Sequence, residues 1–160
     1  MNKKAIIFWI LTFGIMALLF YFSSQTAVES TEVSTGLIER IIRVFLSITK
    51  MTEPEIADAV KKLDGPVREL AHYSIFAVLG TVCYLAAYFT KDLRHIYKSM
   101  YSIGICTAYA VFDEIHQLFT QGRSFQMSDI LTDTAGVITG TFIVVGIIIV
   151  YRKSKEKNYG

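Results

Sequence analysis

The sequence predicts an all-α integral membrane protein, a four-helix bundle with both termini in the cytoplasm and amphipathic outer helices between the first two spans. Three observations predict this fold. Apolar residues make up 52% of the chain and the mean hydropathy is +0.43, higher than in most soluble domains. These residues are grouped into long runs, as a membrane requires of helices that cross it. The Lys and Arg residues lie mostly between alternate runs. We expect one domain over residues 1–160.

The chain contains four stretches that could cross a membrane, at about residues 5–22, 70–89, 99–119 and 130–151. The first follows two lysines and resembles a signal peptide, but it is long for one and no A-x-A cleavage site follows, so we favour a retained anchor. The third is purely apolar for only 13 residues and must continue through a polar stretch to about Phe119. The fourth includes Asp133 if it begins near Ile130. Polar and acidic residues are therefore predicted at membrane depth.

The distribution of Lys and Arg predicts the orientation. If the N-terminus, the loop between the second and third spans and the C-terminal tail share one side, that side holds nine of the 16 Lys and Arg residues and two of the 14 Asp and Glu residues. Basic residues near span ends favour the cytoplasmic side, so we expect both termini inside. A net charge of +2 would hint weakly at an acidic partner if it were spread evenly, but it is not. We expect no nucleic-acid partner.

The segment 23–67 is expected to lie outside the membrane as two amphipathic helices. Apolar residues recur at helical spacing over 33–48, which predicts a helix that lies in the outer interface or packs on the spans; a partner-binding helix is the less favoured interpretation. A second, short helix should begin at Thr52, which can form a capping box with Glu55. The turn 64–66 should end it, because glycine supports a left-handed stop and proline cannot continue a helix.

Ionisable and polar residues from three segments converge near the outer boundary. A charged group at the centre of a membrane helix costs roughly 2.5–3.5 kcal/mol, so such residues tend to pair or to line a wet cavity. Both interpretations stay open: a functional polar pocket, or a set of structural salt bridges from the two arginines to the carboxylates. The candidate ligand-binding residues are Arg68, His72, Asp113, Glu114, His116, Gln117, Arg123, Asp129 and Asp133.

Small residues accompany the acidic face of the fourth span. Asp129 and Asp133 are four residues apart, and Gly136 and Gly140 continue the same face. Glycines at this spacing let another helix approach closely, so we expect this face to pack inward. Gly104 offers a similar surface on the third span.

The cluster has the groups for binding an anion and for proton transfer. Two arginines can hold a phosphate or carboxylate through paired hydrogen bonds. His72, His116 or Glu114 could act as a general acid or base, but no nucleophile motif is present, so the catalytic residues, and whether the protein is an enzyme, stay open.

No metal and no cofactor is expected. The Asp-Glu-x-His sequence that ends in His116 lacks the second histidine that a zinc-binding helix carries four residues away. Cys83 and Cys106 lie inside apolar runs and are expected to be ordinary core residues.

An ordered set of motifs between Arg68 and Gly140 resembles the VanZ-like family of small bacterial membrane proteins. The first span and the outer segment match only in character. Members often have asparagine where this chain has Asp133, so a charge replaces a neutral hydrogen-bonding group there. The motifs are Arg68-x-x-x-His72 with Phe76 and Leu79-Gly80, Phe112-Asp113-Glu114-Ile115-His116-Gln117, Gly122-Arg123, and Asp129-Ile130-x-x-Asp133-Thr134-x-Gly136-x-x-x-Gly140.

The resemblance implies a multi-pass protein of the bacterial cytoplasmic membrane that lowers susceptibility to glycopeptide antibiotics such as teicoplanin. Three functions stay open: an envelope protein that binds a lipid-linked or lipoglycopeptide ligand, a membrane enzyme acting on a phosphorylated lipid or cell-wall precursor, and a structural or partner subunit of an envelope complex. The bilayer is the expected partner, and the oligomeric state is not predicted. Transport is disfavoured because no broken helix or repeated half is present.

Overall fold

The computed structural model describes residues 2–46, 52–90 and 92–159, and within them the chain forms five α-helices and no strand. The predicted all-α class is confirmed. Residues 47 and 48 of the predicted amphipathic helix, and Lys91 of the inner loop, lie outside these ranges. The helices are α1 Lys3–Ser23, α2 Ala27–Leu46, α3 Glu53–Thr90, α4 His95–Gln117 and α5 Met127–Tyr159.

The helix starts follow from local sequence. The Asn2 side chain caps α1 by accepting from the Lys4 N–H at 3.1 Å. Half of the predicted capping box before α3 is present, since the Thr52 N–H donates to the Glu55 carboxylate at 2.7 Å. The Thr52 hydroxyl also donates to this carboxylate, at 2.8 Å. The hydrogen bonds that Thr52 donates lower the pKa of Glu55.

The prediction that the turn 64–66 ends a helix is wrong, because α3 runs without a break through Gly65 and Pro66. Gly65 does not adopt a positive φ. Tertiary packing explains the difference: α2 lies along this part of α3, and the Ser34 hydroxyl donates to the Asp64 carboxylate across the two helices. Such packing overrides the intrinsic preference of a few residues.

α2 packs on the N-terminal part of α3, but much of the apolar stripe of α2 stays exposed. Ile38 is buried, whereas Val33, Leu37 and Ile41 are about half exposed or more. Within the described residues, the segment 23–67 is thus a pair of packed helices, α2 and the first part of α3, with an apolar face left at the surface.

Helices α1, α3, α4 and α5 run in alternating directions in chain order, and α1, α4 and α5 each pack against α3. At one end, Trp9 near the start of α1 donates its indole N–H to Thr90 at the end of α3, over 3.0 Å. At the other end, the Ser23 hydroxyl at the end of α1 donates to Asp113 near the end of α4, over 2.6 Å. The core between them contains both cysteines, buried and unpaired, which confirms their predicted packing role.

Three of the described helices are long and apolar enough to cross a membrane: α1, α3 and the Met127–Lys157 part of α5. α4 is not among them; polar residues lie near its start, where Lys98 stands, and near its end, where Asp113 and Glu114 stand. It also ends at Gln117, two residues before the expected Phe119. Membrane association is therefore supported by three helices.

The closest helix contact joins α3 and α5 through glycines. A Cβ atom built on Gly140 would lie 1.8 Å from the Ala77 carbonyl oxygen, and one on Gly136 would lie 2.3 Å from that of Tyr73. No side chain fits at those distances, so the predicted inward packing of this face is confirmed. Gly104 does not behave as predicted, since no atom lies within 4 Å of where its Cβ would be.

Gly140→Ala should destabilise the protein because the added methyl group forces α5 away from the α3 backbone. Overpacking costs about 1–3 kcal/mol. Gly146→Ala on the same helix is the matched control, since nothing lies within 4 Å of its Cβ position. Thermal unfolding in detergent should show a lower midpoint for Gly140→Ala and an unchanged or higher one for Gly146→Ala. Equal midpoints would contradict the close contact.

Candidate functional site

The predicted polar residues surround a cavity of about 200 Å³ between α3, α4 and α5, called here the polar cavity. It lies at the end of the helices where Ser23 meets Asp113. Six of the nine predicted residues line it: Arg68, His72, Gln117, Arg123, Asp129 and Asp133. Its remaining lining residues are Gly65, Glu69, Gln126 and Thr132.

The loop between α4 and α5 holds Arg123 in place. Gly122 before it has φ +79°, a conformation that glycine adopts without strain. The Arg123 guanidinium donates to the Gln25 carbonyl and to the Gln117 side-chain oxygen, each at 3.1 Å, and to the Phe22 carbonyl at 3.4 Å. Arg123 therefore ties this loop to the α1–α2 junction. Burial and the nearby Arg68 guanidinium lower the pKa of Arg123.

Arg68 is a second cation that lines the same cavity, and unlike Arg123 it is not held by hydrogen bonds in the described part of the chain. It is half-buried on α3, and no hydrogen bond or ion pair joins it to another described residue. The ion pairs among the described residues are Arg43 with Glu39 and Glu53, Lys62 with Asp58, and His72 with Asp133. Neither cavity arginine takes part in them, so salt bridges from these two arginines do not account for the cluster.

The opposite wall of the polar cavity is acidic. Asp133 on α5 is 4% exposed, and its Oδ1 has no hydrogen-bond partner in the described part of the chain. This oxygen lies 3.7 Å from His72 Nδ1, beyond hydrogen-bond distance. A buried polar atom without a partner costs free energy, which a bound donor would recover. Asp129, one turn earlier, accepts a hydrogen bond from Ser128 at 3.1 Å.

Asp113 and Glu114 lie behind the cavity and orient its walls. Asp113 is 1% exposed and accepts from Ser23 at 2.6 Å and from the Gln117 side chain at 3.3 Å. Glu114 accepts from the Gln126 N–H at 2.6 Å, which holds the loop before α5 against the end of α4. Both carboxylates thus position residues that do line the cavity.

His116 faces away from the polar cavity. Its ring stacks on Phe20 with centroids 4.3 Å apart, and its Nε2 lies 3.1 Å from the Ser24 hydroxyl. Of the three residues considered for proton transfer, His72 alone lines the cavity.

A second cavity of about 260 Å³, called here the apolar chamber, adjoins the polar cavity. Arg68, His72 and Arg123 line both. The other lining residues are mostly apolar and come from α1, α2, α3 and the junction between α1 and α2: Leu19, Phe22, Ser23, Gln25, Ser30, Val33, Ser34, Leu37, Val67, Ala71 and Ile75.

Several of these residues were not singled out from the sequence as ligand-binding. Glu69 neighbours Arg68 and Thr132 shares a helix face with Asp129, so position along the helix could have indicated both. Nothing local marks Ser23, because its role depends on where α1 ends relative to α4. Among the described residues no group of three or more His, Cys, Asp or Glu side chains could hold a metal ion.

Exchanging each arginine for glutamine should separate a structural cation from a free one. Arg123→Gln should lower the free energy of unfolding by about 1–3 kcal/mol, because Gln25, Gln117 and Phe22 lose their donor. Arg68→Gln should change it by about 0.5 kcal/mol or less. Thermal or denaturant unfolding in detergent measures both, and an equal loss in the two variants would refute the distinction.

The comparison with known families agrees with the resemblance of the motifs. The family model described as VanZ/LLP1 matches residues 8–150. No curated protein and no solved structure gives a significant match. The matched range runs from α1 into α5 and includes every residue that lines the two cavities. The chain therefore belongs to the VanZ/LLP1 family.

Proposed function

We propose that this VanZ-family protein is a single-domain, multi-pass protein of the bacterial cell envelope that binds a lipid-linked or lipid-tailed anionic ligand in the polar cavity. Binding would lower susceptibility to teicoplanin-type glycopeptides and lipoglycopeptides. The observation that carries the proposal is the pair of arginines, Arg68 and Arg123, facing one cavity without a carboxylate partner among the described residues. A buried anion would neutralise both, and guanidinium groups suit phosphate and carboxylate.

The proposed topology is a four-helix bundle in the cytoplasmic membrane with both termini inside and the polar cavity facing outward. α4 then forms the fourth span, which returns the chain to the cavity end. Aromatic and basic residues meet at the opposite end, where Lys98 and Arg152 lie 4.6 and 5.6 Å from the Tyr88 ring. Such residues are typical anchors at a membrane interface, and an excess of Lys and Arg favours the cytoplasmic side.

Single cysteines introduced at the two ends test this topology. A membrane-impermeant maleimide should label Ser124→Cys in intact cells and should label Lys155→Cys after permeabilisation only. The parent chain is the background control, because its own Cys83 and Cys106 are buried. Labelling of position 155 in intact cells would exclude the proposed orientation.

A membrane enzyme acting on a phosphorylated lipid is the second candidate function. The observation that favours it is His72, which faces the same cavity as the arginines and lies 3.7 Å from Asp133. A histidine beside a carboxylate can transfer protons. The enzyme would convert the bound lipid and lose that conversion in His72→Ala, whereas a binding protein would release the lipid unchanged. A structural or partner subunit would need neither lipid binding nor lipid conversion.

Susceptibility measurements test the binding function. Cells that make the protein should show a higher inhibitory concentration of teicoplanin, and Arg68→Gln should remove the increase at an unchanged protein level, because the anion loses its free cation. Arg40→Gln is the matched control, an exposed arginine on α2 outside both cavities. If both variants keep the increase, the polar cavity is not the site of the function.

A further inference from the structure

The two adjoining cavities present three kinds of surface in a fixed order. The apolar chamber is lined by side chains such as Leu19, Leu37 and Ile75. Arg68, His72 and Arg123 line both cavities and therefore form the boundary between them. A ligand that extends from the chamber into the polar cavity thus meets hydrocarbon first and cationic groups second.

Beyond this boundary the surface becomes acidic. Glu69, Asp129 and Asp133 line the polar cavity but not the apolar chamber. Asp133 is 4% exposed, and its Oδ1 accepts no hydrogen bond from the described residues. A ligand that ended in an anion would leave the Asp133 Oδ1 without a hydrogen-bond donor, since His72 Nδ1 lies 3.7 Å away. A ligand with a protonated amine beyond its anion would supply hydrogen-bond donors and opposite charge.

Part of the lining of the apolar chamber reaches the surface of the protein. Val33 and Leu37 of α2 line the chamber while remaining 61% and 54% exposed. An acyl chain could therefore contact the chamber from the exposed face of α2. This arrangement suits a lipid whose chain stays near the bilayer while its headgroup fills the polar cavity.

We propose that the ligand is an aminophospholipid of the phosphatidylethanolamine type, bound with an acyl chain in the apolar chamber, its phosphate between Arg68 and Arg123, and its ammonium group against Asp129 and Asp133. The inference rests on the proposed binding function and deepens it by naming the ligand class. It assigns Asp129 and Asp133 to the choice of headgroup and Arg68 to the phosphate. Arg123 has a double role, since it also ties the loop to the α1–α2 junction.

Binding of short-chain lipids to the purified full-length protein tests the inference. The probes are dioctanoyl phosphatidylethanolamine, dioctanoyl phosphatidylglycerol and free phosphoethanolamine, each titrated in detergent and followed by the shift in unfolding temperature. Phosphatidylethanolamine should bind at least about tenfold tighter than phosphatidylglycerol, because a charge-assisted hydrogen bond contributes that much or more. Free phosphoethanolamine should bind more weakly than the lipid, since it has no chain for the chamber.

Two carboxylate variants and one arginine variant complete the design. Asp133→Asn should reduce the preference for phosphatidylethanolamine while phosphatidylglycerol binds as before. Asp129→Asn, at a position that is partly exposed, should do the same and serves if Asp133→Asn does not fold. Arg68→Gln should weaken both lipids together, and Arg40→Gln should weaken neither.

The outcomes separate this inference from the binding function on which it rests. If both lipids bind equally and Arg68→Gln weakens both, the lipid-binding function stands and the assignment of an amine is overturned. If free phosphoethanolamine binds as tightly as the lipid, the role of the apolar chamber is overturned. If neither lipid binds while Arg68→Gln still removes the increase in inhibitory concentration of teicoplanin, the aminophospholipid is overturned and the binding function stands. If neither lipid binds and Arg68→Gln keeps that increase, both proposals fail.

Discussion

The backbone contact between α3 and α5 is the constraint on which the rest of the molecule depends. In a membrane, lipid tails are as apolar as leucine, so helices associate through close packing rather than through the hydrophobic effect. Gly136 and Gly140 let α5 approach the carbonyl groups of Tyr73 and Ala77. This register brings His72, one residue before Tyr73, opposite Asp133, one helical turn before Gly136. The contact between α3 and α5 therefore sets where Arg68 and His72 of α3 lie relative to the carboxylates of α5.

Polar contacts close the other side of the site. The junction between α1 and α2 receives hydrogen bonds from Arg123 and from Thr120, and the Ala27 N–H donates to the Gln121 carbonyl at 3.2 Å. These bonds satisfy backbone groups that a helix end would otherwise leave exposed. The same bonds hold the loop that carries Arg123. The contacts that position this cation therefore also satisfy the backbone groups between α1 and α2.

Features set by local periodicity could be predicted from the sequence, and features set by the rotation of one helix against another could not. Long apolar runs, the pairing of Thr52 with Glu55 and the glycine face of α5 are local patterns, and the structure confirms them. The depth of His116 in the membrane predicts that it lines the pocket, yet its ring stacks on Phe20 and does not line the polar cavity. Pro66 predicts the end of a helix, yet α3 continues through it where α2 packs on α3. The number of crossings and their orientation remain predictions.

The unbroken course of α3 has a mechanical consequence. Its 38 residues make a rod of about 57 Å, nearly twice the thickness of a hydrocarbon core. Proline has no N–H, so Pro66, two residues before Arg68, leaves the Lys62 carbonyl without its helical partner. A bend there would swing α2 and the outer third of α3 as one arm. The glycine contact with α5 would hold the rest of α3 in place, and the apolar chamber would widen or narrow with the angle at Pro66.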